Sequence, residues 1–334
     1  MASSHKSAIA RLRAAKVDGR TENVRYRQMQ LQYLHRELVA LSDELRGAIR
    51  KDASFSEAEA DIEFAAGMTC VKDAYESLDF DRSLEDEYNP TRGLDHPGRR
   101  AGFGVVHIKP GKAFSFYSVL APLSAAIAAG NCILLQLDGN LRYLPDLFKN
   151  AFKKSLDPDA FAVIEGKVED QRFLAEAILV DQDSTGTSLP AINELRSRSR
   201  ARVVAVVDRT ADIEAAAETI VNARLAFNGR SSYAPDFVVV NEFAKKRFLD
   251  AAAKHIVAFS TTSANGKKAG QESGKTLLKK AEEDSSATVV ASGSSGYLID
   301  VSRSVIPPLL SAMRLTLTEN PHSYNKRSQN HCFW

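Results

Sequence analysis

Between Glu22 and Lys51 apolar residues fall at Val24, Met29, Leu31, Leu34, Leu38, Leu41, Leu45 and Ile49, mostly three or four residues apart. That spacing predicts one long amphipathic helix. A second helix is predicted from Ser56 to about Ser77, with the serine as cap and Glu57 and Glu59 in its first turn. Met1 to Arg20 is polar, basic and poor in large apolar groups, which predicts a flexible, frayed segment. Asp81 to Arg100, rich in Pro, Gly, Asp and Arg, reads as an irregular crossing loop.

From Gly102 onward β and helical patterns alternate. Strands are predicted at Gly104 to Ile108, Cys132 to Leu135, Ala160 to Glu165, Ala177 to Val180 and Val203 to Val207, with helices at Ser118 to Gly130 and Leu144 to Lys153. Such alternation implies a parallel sheet flanked by helices. Thr210 is placed to cap a further helix carrying Ile213, Ala216, Ala217, Ile220, Ala223 and Leu225 on one face. Asn228-Gly229 would end it, because both residues tolerate positive φ. Ser231 and Ser232 follow in a turn, and Ala234-Pro235-Asp236 leads into the buried-strand run Phe237 to Val240. Beyond lie a helix at Lys245 to Val257, a polar stretch at Ser260 to Gly274, a charged helix at Lys275 to Glu283 and an apolar segment at Tyr297 to Leu310. The polar tail to Trp334 matches no element.

Composition narrows the function class. With 334 residues, 44% hydrophobic and 26% charged, the chain can bury a large core as one large or two medium α/β domains. The net charge of +2 gives no general attraction to nucleic acid or membrane. No apolar run approaches a membrane span, and the first twenty residues lack the apolar core of a signal peptide. Three cysteines, Cys70, Cys132 and Cys332, are too few and too scattered for a disulfide framework or a metal site. A cytoplasmic protein without metal is the expectation.

The line Phe227-Asn228-Gly229-Arg230-Ser231-Ser232-Tyr233-Ala234-Pro235-Asp236 resembles the aldehyde dehydrogenase superfamily around its nucleophile. That family reads asparagine-x-glycine-glutamine-x-cysteine, a short gap, then Ala-Pro-Asp and an apolar strand. A second resemblance runs from Gly104-Val105-Val106 through Ala121-Pro122-Leu123 to Ala128-Ala129-Gly130-Asn131, where the family builds the first strand and helix of its NAD(P) domain. It implies two N-terminal helices, a Rossmann-like cofactor domain and NAD(P)+-dependent oxidation of an aldehyde to a carboxylic acid.

Carried over position by position, the resemblance implies a changed site. Counting back from Ala-Pro-Asp, the catalytic cysteine falls on Ser232, the glutamine on Arg230 and the leading asparagine on Phe227. A serine hydroxyl is almost wholly protonated at neutral pH, and none of the seven histidines lies nearby in sequence. Ser232 therefore reads first as an inert turn residue. The oxyanion asparagine becomes Lys112, and the lysine that contacts the adenosine ribose becomes Gln136. The glycine-serine turn that opens a helix towards the pyrophosphate falls at Asp183-Ser184, where Asp183 sets a negative charge beside a dianion. An ungapped count from Asp208 places the family's general-base glutamate on Arg198, which stays protonated and cannot accept a proton. The arginines at 196, 198, 200 and 202 would share one face if extended and could grip phosphate. A solvated edge is the commoner outcome for such a run.

The family's glutamate-x-phenylalanine-glycine-proline motif does not follow the strand and loop near Tyr297. A degenerate, C-terminally truncated family member is therefore expected: an α/β fold with a parallel-sheet NAD(P)-binding domain and an incomplete α/β catalytic domain. The predicted divisions are residues 1–20 (flexible), 21–200 (helices and NAD(P)-binding-like domain), 201–310 (partial catalytic domain) and 311–334 (unplaced). Truncation would leave a sheet edge unpaired and a core that a protein partner could cover. Two functions remain open. One is a pseudoenzyme that acts by binding. The other is an enzyme of altered chemistry on an aldehyde or acyl compound, either a residual NAD- or NADP-linked oxidoreductase or a Ser232-dependent acyl hydrolase.

Overall fold

The computed structural model describes residues 2–95, 101–137, 142–184, 190–198, 203–262, 287–292, 297–301 and 329–333. The chain divides into two compact units, Met1–Ser199 and Arg200–Trp334.

The first unit opens on helix α1, Ala2–Asp18, where fraying was expected. Ala8, Ile9, Leu12 and Ala15 form a narrow face that packs on the sheet beside Val105, Cys132, Leu134, Ala162 and Ile164. Alanine carries little apolar signal in a sequence, yet its small side chain lets a helix lie close on a sheet. Gly19, in the left-handed region at φ 67°, ends the helix.

Asn23 caps α2, Val24–Ala40, its Oδ1 accepting from Arg25 N at 2.8 Å. The single long helix expected here breaks at Leu41 (φ −101°, ψ 16°), and α3, Ser42–Ala53, starts anew with Asp43 and Glu44 in its first turn. Leu31, Leu34, Leu38, Leu45 and Ile49 are all buried, so the apolar rhythm runs across the break and conceals it. Helix α4, Glu57–Glu76, begins with the expected capping box between Ser56 and Glu59. Part of the predicted loop is instead helix α5, Phe80–Tyr88, capped by Asp79. No residue of α5 is buried, so no apolar periodicity announces it.

Five parallel strands follow, with their helices: β1 Val105–Lys109, α6 Ser115–Ala128, β2 Cys132–Leu137, α7 Leu144–Ser155, β3 Phe161–Glu165, α8 Gln171–Glu176, β4 Ile178–Ser184 and β5 Glu194–Arg198. Their order in the sheet is β3-β2-β1-β4-β5, with β1 at the centre. Register is marked by apolar pairs such as buried Val106 opposite buried Ile133 on one side and half-buried Ile178 on the other.

The second unit holds β6 Val204–Val207, α9 Ile213–Leu225, β7 Phe237–Asn241, α10 Lys245–Thr262, β8 Ala287–Ser292, β9 Tyr297–Val301 and β10 Gln329–Phe333. Helix α9 is capped by Asp212, whose Oδ1 accepts from Glu214 N and Ala215 N, and not by Thr210. Asp212 immediately precedes the first helical residue, whereas the Thr210 hydroxyl turns to Asp208. Ile213, Ala217, Val221 and Leu225 of α9 join Phe248, Ala252 and Ile256 of α10 over Val207, Val238 and Val240. The sheet order is β6-β7-β10-β9-β8. Strand β10 comes from the tail that matched no element, and it runs antiparallel to both β7 and β9. The expected helix at 275–283 and the segment from 302 to 310 lie outside the described residues.

Candidate functional site

In an open parallel sheet the strand order reverses at one place, and the crevice beyond the carboxyl ends of the strands there is the usual nucleotide site. Here the reversal lies between β1 and β4. Internal bonds cross it. Gln182 on β4 donates from Nε2 to Ser118 O at 2.8 Å, and Ser118 Oγ donates to Gly111 O at 2.9 Å. A Cβ on Gly111 would lie 3.5 Å from Gln182 Cβ, so the two segments are in contact. Lys109, at the end of β1, and Asp181, its neighbour in the middle of β4, are 3.8 Å apart.

Helix N-termini at this end of a parallel sheet offer free N–H groups and a positive dipole end to an anion. Two of them are occupied by the chain's own carboxylates. Asp52, near the end of α3, accepts from Arg142 N at 3.1 Å and Leu144 N at 2.9 Å at the start of α7. Glu63 on α4 accepts from Phe116 N at 2.8 Å at the start of α6.

Lys112 lies exposed in the turn between β1 and α6. Gln136 is buried in β2 and pairs with His107 of β1, Oε1 to Nε2 at 3.1 Å. Burial, with Lys109 nearby, pushes the His107 pKa down to about 4, so the imidazole is neutral. The pair sits under Phe173 of α8, whose ring is 6.1 Å from that of His107. Gln136 is thus a core residue, turned away from the crevice.

Asp183-Ser184 lies at the end of a strand. Both residues continue β4, and Ser184 is buried opposite Arg198 of β5. Glu194 starts β5 after only the nine residues 185–193. An ordinary βαβ crossover needs about ten to twelve residues or more. Among the described residues no helix lies between these strands.

Arg198 is the last residue of β5, an edge strand. Two residues before it, Arg196 donates from Nη2 to both oxygens of Glu194 at 2.6 Å, each side chain 14% exposed. The guanidinium holds the Glu194 carboxyl below the usual range. Glu194-Leu195 is itself a glutamate-leucine pair on the fifth strand. Arg200 and Arg202 lie outside the described residues.

Ser232 belongs to the second unit, exposed in the turn before β7. Phe227 (φ 53°) and Asn228 (φ 55°) take left-handed conformations as the chain leaves α9. Asp236 closes the turn's far end, its amide bonded to Val203 O at 2.9 Å and its carboxylate 3.5 Å from Arg224. His255 of the same unit is turned towards Glu214, 3.5 Å away. Lys112, Gln136, Ser184 and Arg198 belong to the first unit. Among the described residues no group of three or more metal-ligating side chains occurs, and no helix is long and apolar enough to cross a membrane.

The α/β fold is shared with solved aldehyde dehydrogenases. The chain is 23% identical over 263 residues to 4,4'-diaponeurosporen-aldehyde dehydrogenase of Staphylococcus aureus, covering 72% of this chain and 55% of that one. It is 26% identical over 269 residues to human aldehyde dehydrogenase family 3 member B1, covering 75% and 56%. The solved substrate-bound AldH of Staphylococcus aureus superposes with a TM-score of 0.67 at 19% identity, over 86% of this chain and 67% of that one. No protein-family model matches. The chain resembles the aldehyde dehydrogenases in sequence and in fold, and it spans about half the length of the curated relatives it matches.

Proposed function

We propose that this chain uses the aldehyde dehydrogenase fold for binding, without the NAD(P)+-dependent oxidation of aldehydes that the family performs. The short connection between β4 and β5 carries this reading. A dinucleotide's pyrophosphate is held by the N-terminus of a helix that follows a strand at the switch point. Nine residues separate β4 from β5, fewer than the roughly ten to twelve of an ordinary crossover, and Gln182 spans the crevice beside them.

The chemistry supports the same reading. Oxidation through a thiohemiacetal needs a thiolate, a nicotinamide to accept hydride and a base to hydrolyse the thioester. Ser232 offers a hydroxyl in an exposed turn. Arg198 cannot act as base, and the neighbouring Glu194 is held ionised by Arg196. Lys112, Gln136 and Ser184 then serve the fold or the surface rather than an oxyanion or a cofactor. We place the protein in the cytoplasm, in keeping with the free thiols of Cys70 and Cys132, and a protein partner fits its role better than an aldehyde or acyl compound.

Thermal unfolding with saturating NAD+ or NADP+ tests the proposal. A ligand that binds only the folded state at a hundred times its Kd stabilises it by about 2.7 kcal/mol. An unchanged Tm is expected. A clear rise would overturn the reading and favour an active oxidoreductase.

A further inference from the structure

Glu63 occupies an unusual place for a carboxylate. It sits on α4 and is 2% exposed, facing the first turn of α6. Oε1 accepts from Phe116 N at 2.8 Å and from Tyr117 N at 3.4 Å. Oε2 is enclosed as well, with no hydrogen-bond partner among the described residues. The helices leave it little room to find one: a Cβ on Gly67, one turn further along α4, would fall 2.7 Å from the Phe116 ring.

Two influences oppose each other here. The N–H donors and the positive end of α6 favour the anion. Burial of a charge with one bare oxygen disfavours it. Burial is the larger, and the pKa is pushed up to about 7.

Charged groups on the surrounding elements are engaged elsewhere. On α3, Arg46 lies 3.3 Å from Asp61 and stacks over Phe64, while Asp52 caps α7. On α4, Glu59 closes its own capping box. On α2, Arg25 lies over Phe80, Arg27 donates to Ala128 O, and Arg36 lies over Tyr33 beside Glu37. Ahead of α6, Lys112 points outward. None of these supplies the missing partner of Oε2.

We propose that Glu63 is a protonation-controlled latch between α4 and the first turn of α6, tight while the carboxyl is neutral and weakened when it ionises. In the acid form Oε2 carries the proton and Oε1 keeps both N–H bonds. When that proton leaves to solvent, the bare oxygen needs water, and hydration requires the helices to part locally. Ser118 in the same turn holds Gly111 O, so opening loosens the segment that bears Lys112.

The sign follows from linkage. The closed form binds the proton more tightly than the open one, so the latch is fully tight below the ordinary carboxylate value of 4.5 and its contribution is lost as pH rises through about 7. Above that it levels off.

Amide hydrogen exchange on the whole chain, corrected for the intrinsic pH dependence of exchange, reads this directly. Protection of the Phe116 and Tyr117 amides is expected to fall by up to roughly tenfold per pH unit between about 5 and about 7, then flatten. The Leu144 amide, held by Asp52, should not follow. In Glu63→Gln, which keeps the shape and cannot ionise, the fall should vanish. Protection that does not change with pH in the wild type, or an unaltered fall in the variant, would overturn the proposal. Should the variant not fold, carbon-13 NMR of labelled glutamate carboxyls in the wild type replaces it. A Glu63 midpoint near 7 would support the latch, and one near 4.5 would refute it.

Discussion

The Asp52 carboxylate and the Leu144 amide, 92 residues apart in sequence, meet at 2.9 Å where α3 ends and α7 begins. The cap comes from a distant helix, so it both completes α7 and ties α3 to it. Asp52→Ala should cost about 1 to 2 kcal/mol, at the upper end for an N-cap because three backbone donors lose their acceptor. Chemical denaturation should show a lower midpoint with an unchanged slope.

Restoring the family's lysine at position 136 should not restore a cofactor site. Gln136 is buried against the neutral His107, so a lysine there must either shed its proton or displace α8. Gln136→Lys is expected to destabilise the chain by at least about 2 kcal/mol at neutral pH and to leave nucleotide affinity unchanged. Calorimetric titration with NAD+, beside a thermal melt, separates the two effects.

Arg196 holds Glu194 ionised. A carboxyl whose pKa is depressed in the folded state contributes stability above its unfolded value, and that stability is lost as pH falls through the folded value. Arg196→Ala should therefore be less stable than the parent at neutral pH, and the gap should close in acid. Urea midpoints over a pH series would show whether the two curves converge.

Leu12 is fully buried beneath the sheet in a segment whose composition predicts fraying. Leu12→Ala should cost about 2 to 5 kcal/mol, as in any well-packed core. A loss below about 0.5 kcal/mol in denaturant unfolding would mean that α1 is not docked.

Ser232→Cys places a thiol at the position that the proposed reading treats as the lost nucleophile. That reading, in which base and cofactor contacts are lost too, expects no aldehyde oxidation with NAD+ or NADP+. NAD(P)H absorbance over a panel of aliphatic and aromatic aldehydes measures this. Ser232→Ala, in parallel, should leave any ester hydrolysis unchanged.

Local chemistry was legible in the sequence and distant chemistry was not. Ser56 and Glu59 announce the start of α4 because both halves of a capping box lie within four residues. The alternation from Gly102 gives the parallel sheet because each strand carries its own apolar run. Leu41 interrupts a helix without disturbing the apolar rhythm, α5 has no buried face, and α1 packs through alanines, so periodicity misses all three. At the candidate site the turn around Ser232 is local and readable. Gln136 is different, since its inward orientation depends on His107 of the neighbouring strand. Arg198 and Glu194 lie on one strand four residues apart, so an ungapped count from Asp208 chooses between them only by assuming the length of chain before β6. What fixes that region is the nine-residue link from β4, which only the sheet order reveals.

Strand β10 lies in the middle of the second sheet although it is the last described strand in the chain. Before residues 329–333 leave the ribosome, that sheet exists only as two fragments: the parallel pair β6 and β7, and the antiparallel pair β8 and β9. Neither fragment has its inner edge covered. Among the described strands the sheet is therefore joined only once β10 has been made, and until then β7 and β9 each present an open edge to chaperones and to neighbouring nascent chains.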